Sequence, residues 1–221
     1  MYTPTKPLIA FFRNAPPVFY DKGYIVYRSD ASDASVFYLH SGYIKSYTIK
    51  DSGDESTLAF YGPGSIFPLR PALRDKGFST VFSGRSEVYF ESMTDVELHR
   101  RRQCDFMEYI ETEPILYREV VYILLDNLDI YISRAEGMEF RYAQQRIAYQ
   151  LLTLGAKFGS NQGQKVEIML PLTHQELASS LDMARETVSR EIEKLKQIGY
   201  IEVKDQKLII NDAEGLGQVL H

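Results

Sequence analysis

Four side chains toward the C-terminal end of the sequence combine hydrogen-bond donors and acceptors in a pattern suited to the edges of base pairs. Arg185, Glu186, Ser189 and Arg190 fall on one arc of a helix at about 100° per residue, turned away from Val188, Ile192 and Leu195. An arginine can donate two hydrogen bonds to O6 and N7 of guanine, and a glutamate can accept from N4 of cytosine. The arc therefore fits a major-groove sequence containing G·C pairs. Thr187, Gln175 and His174 add hydroxyl, amide and imidazole groups where phosphates could be held, which would fix register without carrying sequence information. The competing reading is a solvated face, with Arg185, Glu186, Arg190 and Glu193 in intrahelical ion pairs as on most mixed-charge helices.

Two helices and a turn must position that arc. Thr173 with Glu176 three residues later makes a capping box, and Leu177, Ala178 and Leu181 give the first helix an apolar face. Asp182-Met183 can turn the chain, and Val188, Ile192 and Leu195 form the buried side of the second helix, which is helix-turn-helix spacing. Tyr200–Lys204 and Lys207–Ile210 around Asp205-Gln206 read as a two-stranded wing, with Lys204 and Lys207 near its tip as candidate phosphate contacts. From Gly137 onward there are 10 Lys plus Arg against 11 Asp plus Glu. Binding to a polyanion must then come from a small positive patch and from doubling the chain, with strong salt dependence.

Upstream the pattern changes. From Val18 to Leu98, short aromatic and β-branched runs are broken by glycines, including Gly23, Gly42, Gly53, Gly62, Gly64, Gly77 and Gly84, and this punctuation predicts strands and turns. Val36–Leu39 and Tyr43–Ile49 are expected to form a hairpin about His40-Ser41-Gly42, within an antiparallel meander or roll. A helix follows, with Thr112 as its cap and Pro114 in its first turn. It carries two apolar stripes, Leu116/Val120/Ile123/Asn127/Ile130 and Tyr117/Val121/Leu124/Leu128/Tyr131. Together they are too wide for one core; one stripe meets a second subunit, or the helix is buried between two layers of its own chain. Gly137 reads equally as a hinge or a simple breaker, and a further helix carries Phe140, Ile147, Leu151, Leu154 and Phe158. The expected fold class is α+β: a β-roll over 1–111, a dimerisation helix over 112–136 and a winged-helix domain over 137–221.

Composition narrows the function. A single cysteine, Cys104, among 221 residues excludes an internal disulfide framework and any cluster held by several thiolates. Met1–Tyr20 lacks a signal-peptide pattern and no apolar run spans a bilayer, so a soluble cytoplasmic protein is expected. A net charge of −5 argues against binding nucleic acid by bulk electrostatics. No phosphate loop, nucleophile elbow or clustered metal ligands support an enzyme. The remaining rival is a protein-interaction or scaffold module whose winged helix contacts protein.

Taken together, these segments resemble the Crp/Fnr superfamily of bacterial transcription regulators, most specifically in Arg185-Glu186-Thr187-Val188-Ser189-Arg190. Phe37–Lys45 and Tyr61–Phe67 are similar to segments of the family's β-roll, which is cyclic-nucleotide-binding-like, and Arg146-Ile147-Ala148 to the helix entering its DNA domain. The resemblance implies a homodimer on double-stranded DNA, reading an inverted repeat with a half-site like TGTGA or TTGAT through Arg185, Glu186, Ser189 and Arg190. RNA polymerase is the further macromolecular partner expected, and the roll is the place expected for a small-molecule effector. Ala184 departs from the family, which often caps the recognition helix with serine or threonine.

The effector stays unknown. Gly64–Arg70 offers no carboxylate where a cyclic nucleotide's ribose needs an acceptor, and Arg85-Ser86 comes late for its phosphate, which argues against cyclic AMP. One cysteine argues against an iron-sulfur cluster, and His40, His99, His174 and His221 show no arrangement for haem. Tyr38, Tyr43, Tyr47, Phe60, Tyr61, Phe67, Phe78, Phe82, Tyr89 and Phe90 read mainly as β-core, with a pocket for an apolar or aromatic ligand as the other reading. His40 reads as a turn residue, His99 as the edge of a basic run, and Arg100-Arg101-Arg102 as a solvated charge run.

Overall fold

A computed structural model describes residues 3–29, 35–69, 73, 87–204 and 207–221. The chain forms two compact units: residues 1–53 with 59–129, and residues 54–58 with 130–221. Arg70, Gly77, Phe78, Phe82, Gly84, Arg85-Ser86 and the wing turn Asp205-Gln206 lie outside the described residues.

The first unit begins with helix α1 (Lys6–Arg13) and continues through β1 (Pro17–Tyr20), β2 (Ile25–Arg28), β3 (Ser35–Ser41), β4 (Ile44–Ile49), the end of β5 (Glu55–Tyr61, whose residues up to Leu58 count with the second unit), β6 (Ile66–Phe67), β7 (Val88–Ser92) and β8 (Val96–Arg102). The strands make two four-stranded sheets, ordered β1-β8-β3-β6 and β2-β7-β4-β5. The hairpin expected about His40-Ser41-Gly42 does not form: β3 pairs with β8 and β4 with β7. The chain changes sheets at Gly42, beside the Met93–Asp95 corner where β7 and β8 also change sheets. Met93 N–H donates to Tyr43 O at 2.8 Å, Tyr43 N–H donates to Thr94 Oγ1 at 3.0 Å, and a Cβ on Gly42 would lie 2.4 Å from Asp95 O. Gly42, at φ +87°, is thus needed both for its backbone angle and for this close approach.

Aromatic side chains fill the space between the sheets. Phe67 stacks on Phe90 with ring centroids 5.2 Å apart, and Tyr61, Phe37 and Tyr27 close around them. Tyr38, Tyr47 and Phe60 are buried as well, so the described aromatics serve mainly as core. Two expectations are corrected here. His40 is a strand residue bonded through Nδ1 to Arg13 Nη2 at 2.9 Å, and His99 is buried with Nδ1 2.9 Å from Ala15 O. The run Arg100-Arg101-Arg102 is solvated at Arg100 and Arg102, which are exposed, and half-buried at Arg101. It ends β8, where Arg100 donates to Ser35 Oγ, Arg101 donates to Phe11 O while lying over the Phe11 ring, and Arg102 pairs with Asp105.

Helix α2 (Gln103–Ile110) leads into α3 (Pro114–Glu139). Thr112 does not cap α3; its hydroxyl donates to Tyr109 O at 2.7 Å, finishing α2. The two stripes of α3 part company: Leu116, Val120 and Ile123 are buried against Leu8, Phe12, Phe106 and Ile110, whereas Tyr117, Val121, Leu124, Leu128 and Tyr131 are exposed.

The second unit takes the C-terminal part of α3, then α4 (Ala143–Phe158), β9 (Gly159–Gln162), β10 (Lys165–Ile168), α5 (His174–Leu181), α6 (Arg185–Ile198), β11 (Ile201–Lys204), β12 (Lys207–Ile210) and α7 (Ala213–Gln218). Gly137 lies inside α3, where an added Cβ would come 3.3 Å from the Tyr149 ring. Its missing side chain makes room for packing, and the chain bends instead at Phe140–Tyr142. Phe140 is therefore not part of the following helix; its ring packs 5.3 Å from Tyr149. The wing strands β11 and β12 pair in antiparallel register, Lys204 opposite Lys207. They extend into a four-stranded sheet, β11-β12-β10-β9.

Candidate nucleic-acid interface

Helix α5 starts on the capping box read from the sequence. Glu176 N–H donates to Thr173 Oγ1 at 3.1 Å, and Thr173 N–H donates to Glu176 Oε2 at 2.7 Å. Asp182 closes α5 in the left-handed region at φ 51°, a conformation aspartate tolerates better than most residues. After Met183 and Ala184, α6 begins at Arg185. Leu177, Leu181, Val188, Ile192 and Leu195 are buried and fix α6 by one face. Gly199 at φ 93° ends α6 by turning the chain into the wing.

The opposite face carries the candidate residues. Arg185, Glu186 and Arg190 are exposed, and Ser189 and Thr187 are half-buried. Among the described residues the side chains of Arg185 and Glu186 make no hydrogen bond, so both are available to a partner. Arg190 is partly committed: its Nε lies 3.3 Å from Glu191 Oε1. Glu191, only 6% exposed, also accepts from Lys194 Nζ at 2.9 Å. Burial pushes the Glu191 carboxyl up, but the bonds from Lys194 and Arg190 outweigh it and hold the group below the ordinary glutamate value.

Of the weaker candidates, Gln175 is exposed at the start of α5 and Lys204 is exposed on β11. His174, half-buried, has its Nδ1 2.8 Å from Ser189 Oγ, which ties one candidate to another. Lys207 is ion-paired with Glu167 of β10, and Lys165 with Glu202 at 2.9 Å. Pairing reduces what Lys207 can offer a phosphate.

Several residues that hold the site in place were not visible as such in the sequence. Arg134 of α3 donates to Asp182 Oδ2 at 2.9 Å and to Ser56 Oγ at 3.0 Å. Ser56 donates to Asp182 Oδ1 at 2.8 Å, and Arg146 of α4 donates to Leu181 O. The turn between α5 and α6 is thereby gripped from two helices and from residues 54–58.

Gly62–Leu69 contains no carboxylate, and Ile66, Phe67 and Leu69 are all under 5% exposed within the core.

The family model for a cyclic nucleotide-binding domain matches residues 17–112, and that for a Crp-like helix-turn-helix domain matches residues 145–219. A CRP-like cAMP-activated global transcriptional regulator from Mycobacterium tuberculosis is 22% identical over 96% of this chain and 91% of its own. The transcriptional activator FnrA of Stutzerimonas stutzeri is 25% identical over 88% of this chain and 76% of its own. Among solved structures, a CooA mutant from Carboxydothermus hydrogenoformans aligns with TM-score 0.76 at 22% identity, covering 96% of this chain and 90% of that one. A CRP/FNR-family regulator from Thermus thermophilus aligns with TM-score 0.68 at 24% identity, covering 93% and 98%. These structures share the fold.

Proposed function

The chain belongs to the Crp/Fnr superfamily of DNA-binding transcription regulators, and on that premise we propose that it acts as a cytoplasmic homodimer reading an inverted-repeat operator. The observation that carries the reading is the outward face of α6, where Arg185 and Glu186 stand unengaged at the helix N-terminus while Val188, Ile192 and Leu195 anchor the other side. An N-terminal placement suits entry of a recognition helix into the major groove. Arg185 would read guanine, Glu186 cytosine N4, and Ser189 and Arg190 neighbouring edges. Gln175, Thr187 and Lys204 are proposed to contact phosphate, which sets register. His174 was the remaining phosphate candidate.

Dimerisation is proposed through Tyr117, Val121, Leu124, Leu128 and Tyr131 of α3. These large apolar side chains are each at least 40% exposed in a single chain, and together they form a continuous helical stripe of the kind a second copy covers. Two copies would set their recognition helices about one DNA turn apart. RNA polymerase is the further macromolecular partner proposed, and control through the β-roll by a ligand other than cyclic AMP is proposed on the lack of a carboxylate in Gly62–Leu69. Alignment over 91% and 76% of the length of two known transcription regulators favours this reading over a catalytic or a scaffold role.

Selection of bound duplexes from a random-core library over a salt series tests the proposal. Enrichment of an inverted repeat with guanine in each half-site is expected, with affinity falling steeply as salt rises. Binding without any enriched sequence would refute it.

A further inference from the structure

We propose that His174 is a positioning residue that sets which way the Ser189 hydroxyl presents itself to a base, and does not itself hold phosphate. This rests on the reading of α6 as the recognition helix. The observation is the 2.8 Å contact between His174 Nδ1 and Ser189 Oγ. A serine inside a helix can turn its hydroxyl back to a carbonyl one turn earlier or out to solvent. Here the hydroxyl reaches across to another helix, and an imidazole is its partner.

The consequence follows from the chemistry of the two groups. A serine hydroxyl has one proton and two lone pairs, and a neutral imidazole has one N–H and one acceptor nitrogen. A free serine can bond to base donors or acceptors alike. Once the imidazole takes one of its valences, the choice narrows. With Nδ1 accepting, Ser189 spends its proton on the ring and shows the groove a lone pair, which selects an amine such as adenine N6 or cytosine N4. With Nδ1–H donating, the hydroxyl would keep its proton and one lone pair and stay open to donors and acceptors alike. Ser189 therefore discriminates donors from acceptors when His174 Nδ1 takes its proton, which is the arrangement proposed.

Both partners are held firmly enough for this. His174 is the first residue of α5, immediately after Thr173, so the capping box fixes its turn. Ser189 adjoins Val188, which is fully buried, and therefore sits on an anchored part of α6. A contact between two preset backbones needs little ordering on binding.

The test compares the base preferences of wild type, Ser189→Ala, His174→Ala and His174→Asn by selection from the random-core library. Ser189→Ala identifies the base pair that Ser189 reads, as a position losing about threefold to tenfold preference. His174→Ala is expected to lose preference at that same position and keep the others. His174→Asn, whose amide can stand in for Nδ1, is expected to restore it. Three results would overturn the proposal: a uniform loss of affinity with a shallower salt slope in His174→Ala, which marks a phosphate contact; an unchanged profile in His174→Ala where Ser189→Ala is altered; or an unchanged profile in Ser189→Ala. Wild type enriching no sequence would instead defeat the DNA reading beneath it.

Discussion

The guanidinium of Arg134 and the carboxylate of Asp182 meet at 2.9 Å, joining the C-terminal part of α3 to the residue that turns α5 into α6. Both side chains are largely shielded, at 18% and 26% exposure, so solvent screens the pair less than it would a surface pair. Arg134→Ala removes the guanidinium from Asp182 and Ser56 and is expected to destabilise the second unit by about 1–3 kcal/mol. Asp182→Asn keeps the left-handed turn while removing the charge. A double-mutant cycle of the two in urea unfolding should give a coupling of about 0.5–2 kcal/mol; a coupling near zero would show the pair contributes nothing.

Little of that arrangement was legible beforehand, because Arg134, Asp182 and Ser56 are far apart in sequence and each looks ordinary alone. Features set by near neighbours read well: the Thr173–Glu176 box, the buried face of α6, the wing pairing and the order of strand-rich region, long helix and helix-turn-helix. Features set by distant partners did not. His40-Ser41-Gly42 has the local chemistry of a hairpin, yet β8 and β7 compete for the two strands. The β9–β10 hairpin is not announced by Gly159–Gln162, whose small and polar residues lack the β-branched and aromatic side chains that mark a strand. Gly159 is there because a Cβ would lie 2.1 Å from Gly155 O and 2.4 Å from Val166 Cγ1.

The recognition helix begins without a side-chain cap, since Ala184 is its N-cap residue. Ala184→Ser is therefore predicted to stabilise the protein by about 1 kcal/mol, read as a higher urea midpoint with an unchanged slope. No gain would mean that the first N–H groups of α6 are already satisfied in solution.

Glu191 makes the second unit acid-sensitive. Its folded pKa lies below the unfolded one, so its stabilising contribution is present above the unfolded value, about 4.3, and is lost as pH falls through the folded value. Between pH 7 and pH 3, wild type should lose more unfolding free energy than Glu191→Gln. Equal losses would show that Lys194 and Arg190 do not hold the carboxylate charged in solution.

The exposed stripe of α3 can be separated from the buried one. Leu128→Glu, at a position 50% exposed, should yield a folded monomer in sedimentation equilibrium with operator affinity reduced at least about a hundredfold, as the energy of a second half-site is lost. Val120→Ala, at a buried position, should instead lower stability by about 1–3 kcal/mol and leave the dimer intact. A Leu128→Glu protein that remains dimeric would place the interface elsewhere.

Base readout by Arg185 is the centre of the account, and its most direct test is binding of wild type and Arg185→Ala to the selected operator and to variants substituted at each half-site guanine. One guanine should be worth about 1–3 kcal/mol to wild type and nearly nothing to Arg185→Ala, with all other positions unchanged. If Arg185→Ala weakens every sequence equally, or leaves all of them untouched, the arginine does not read a base and the account fails.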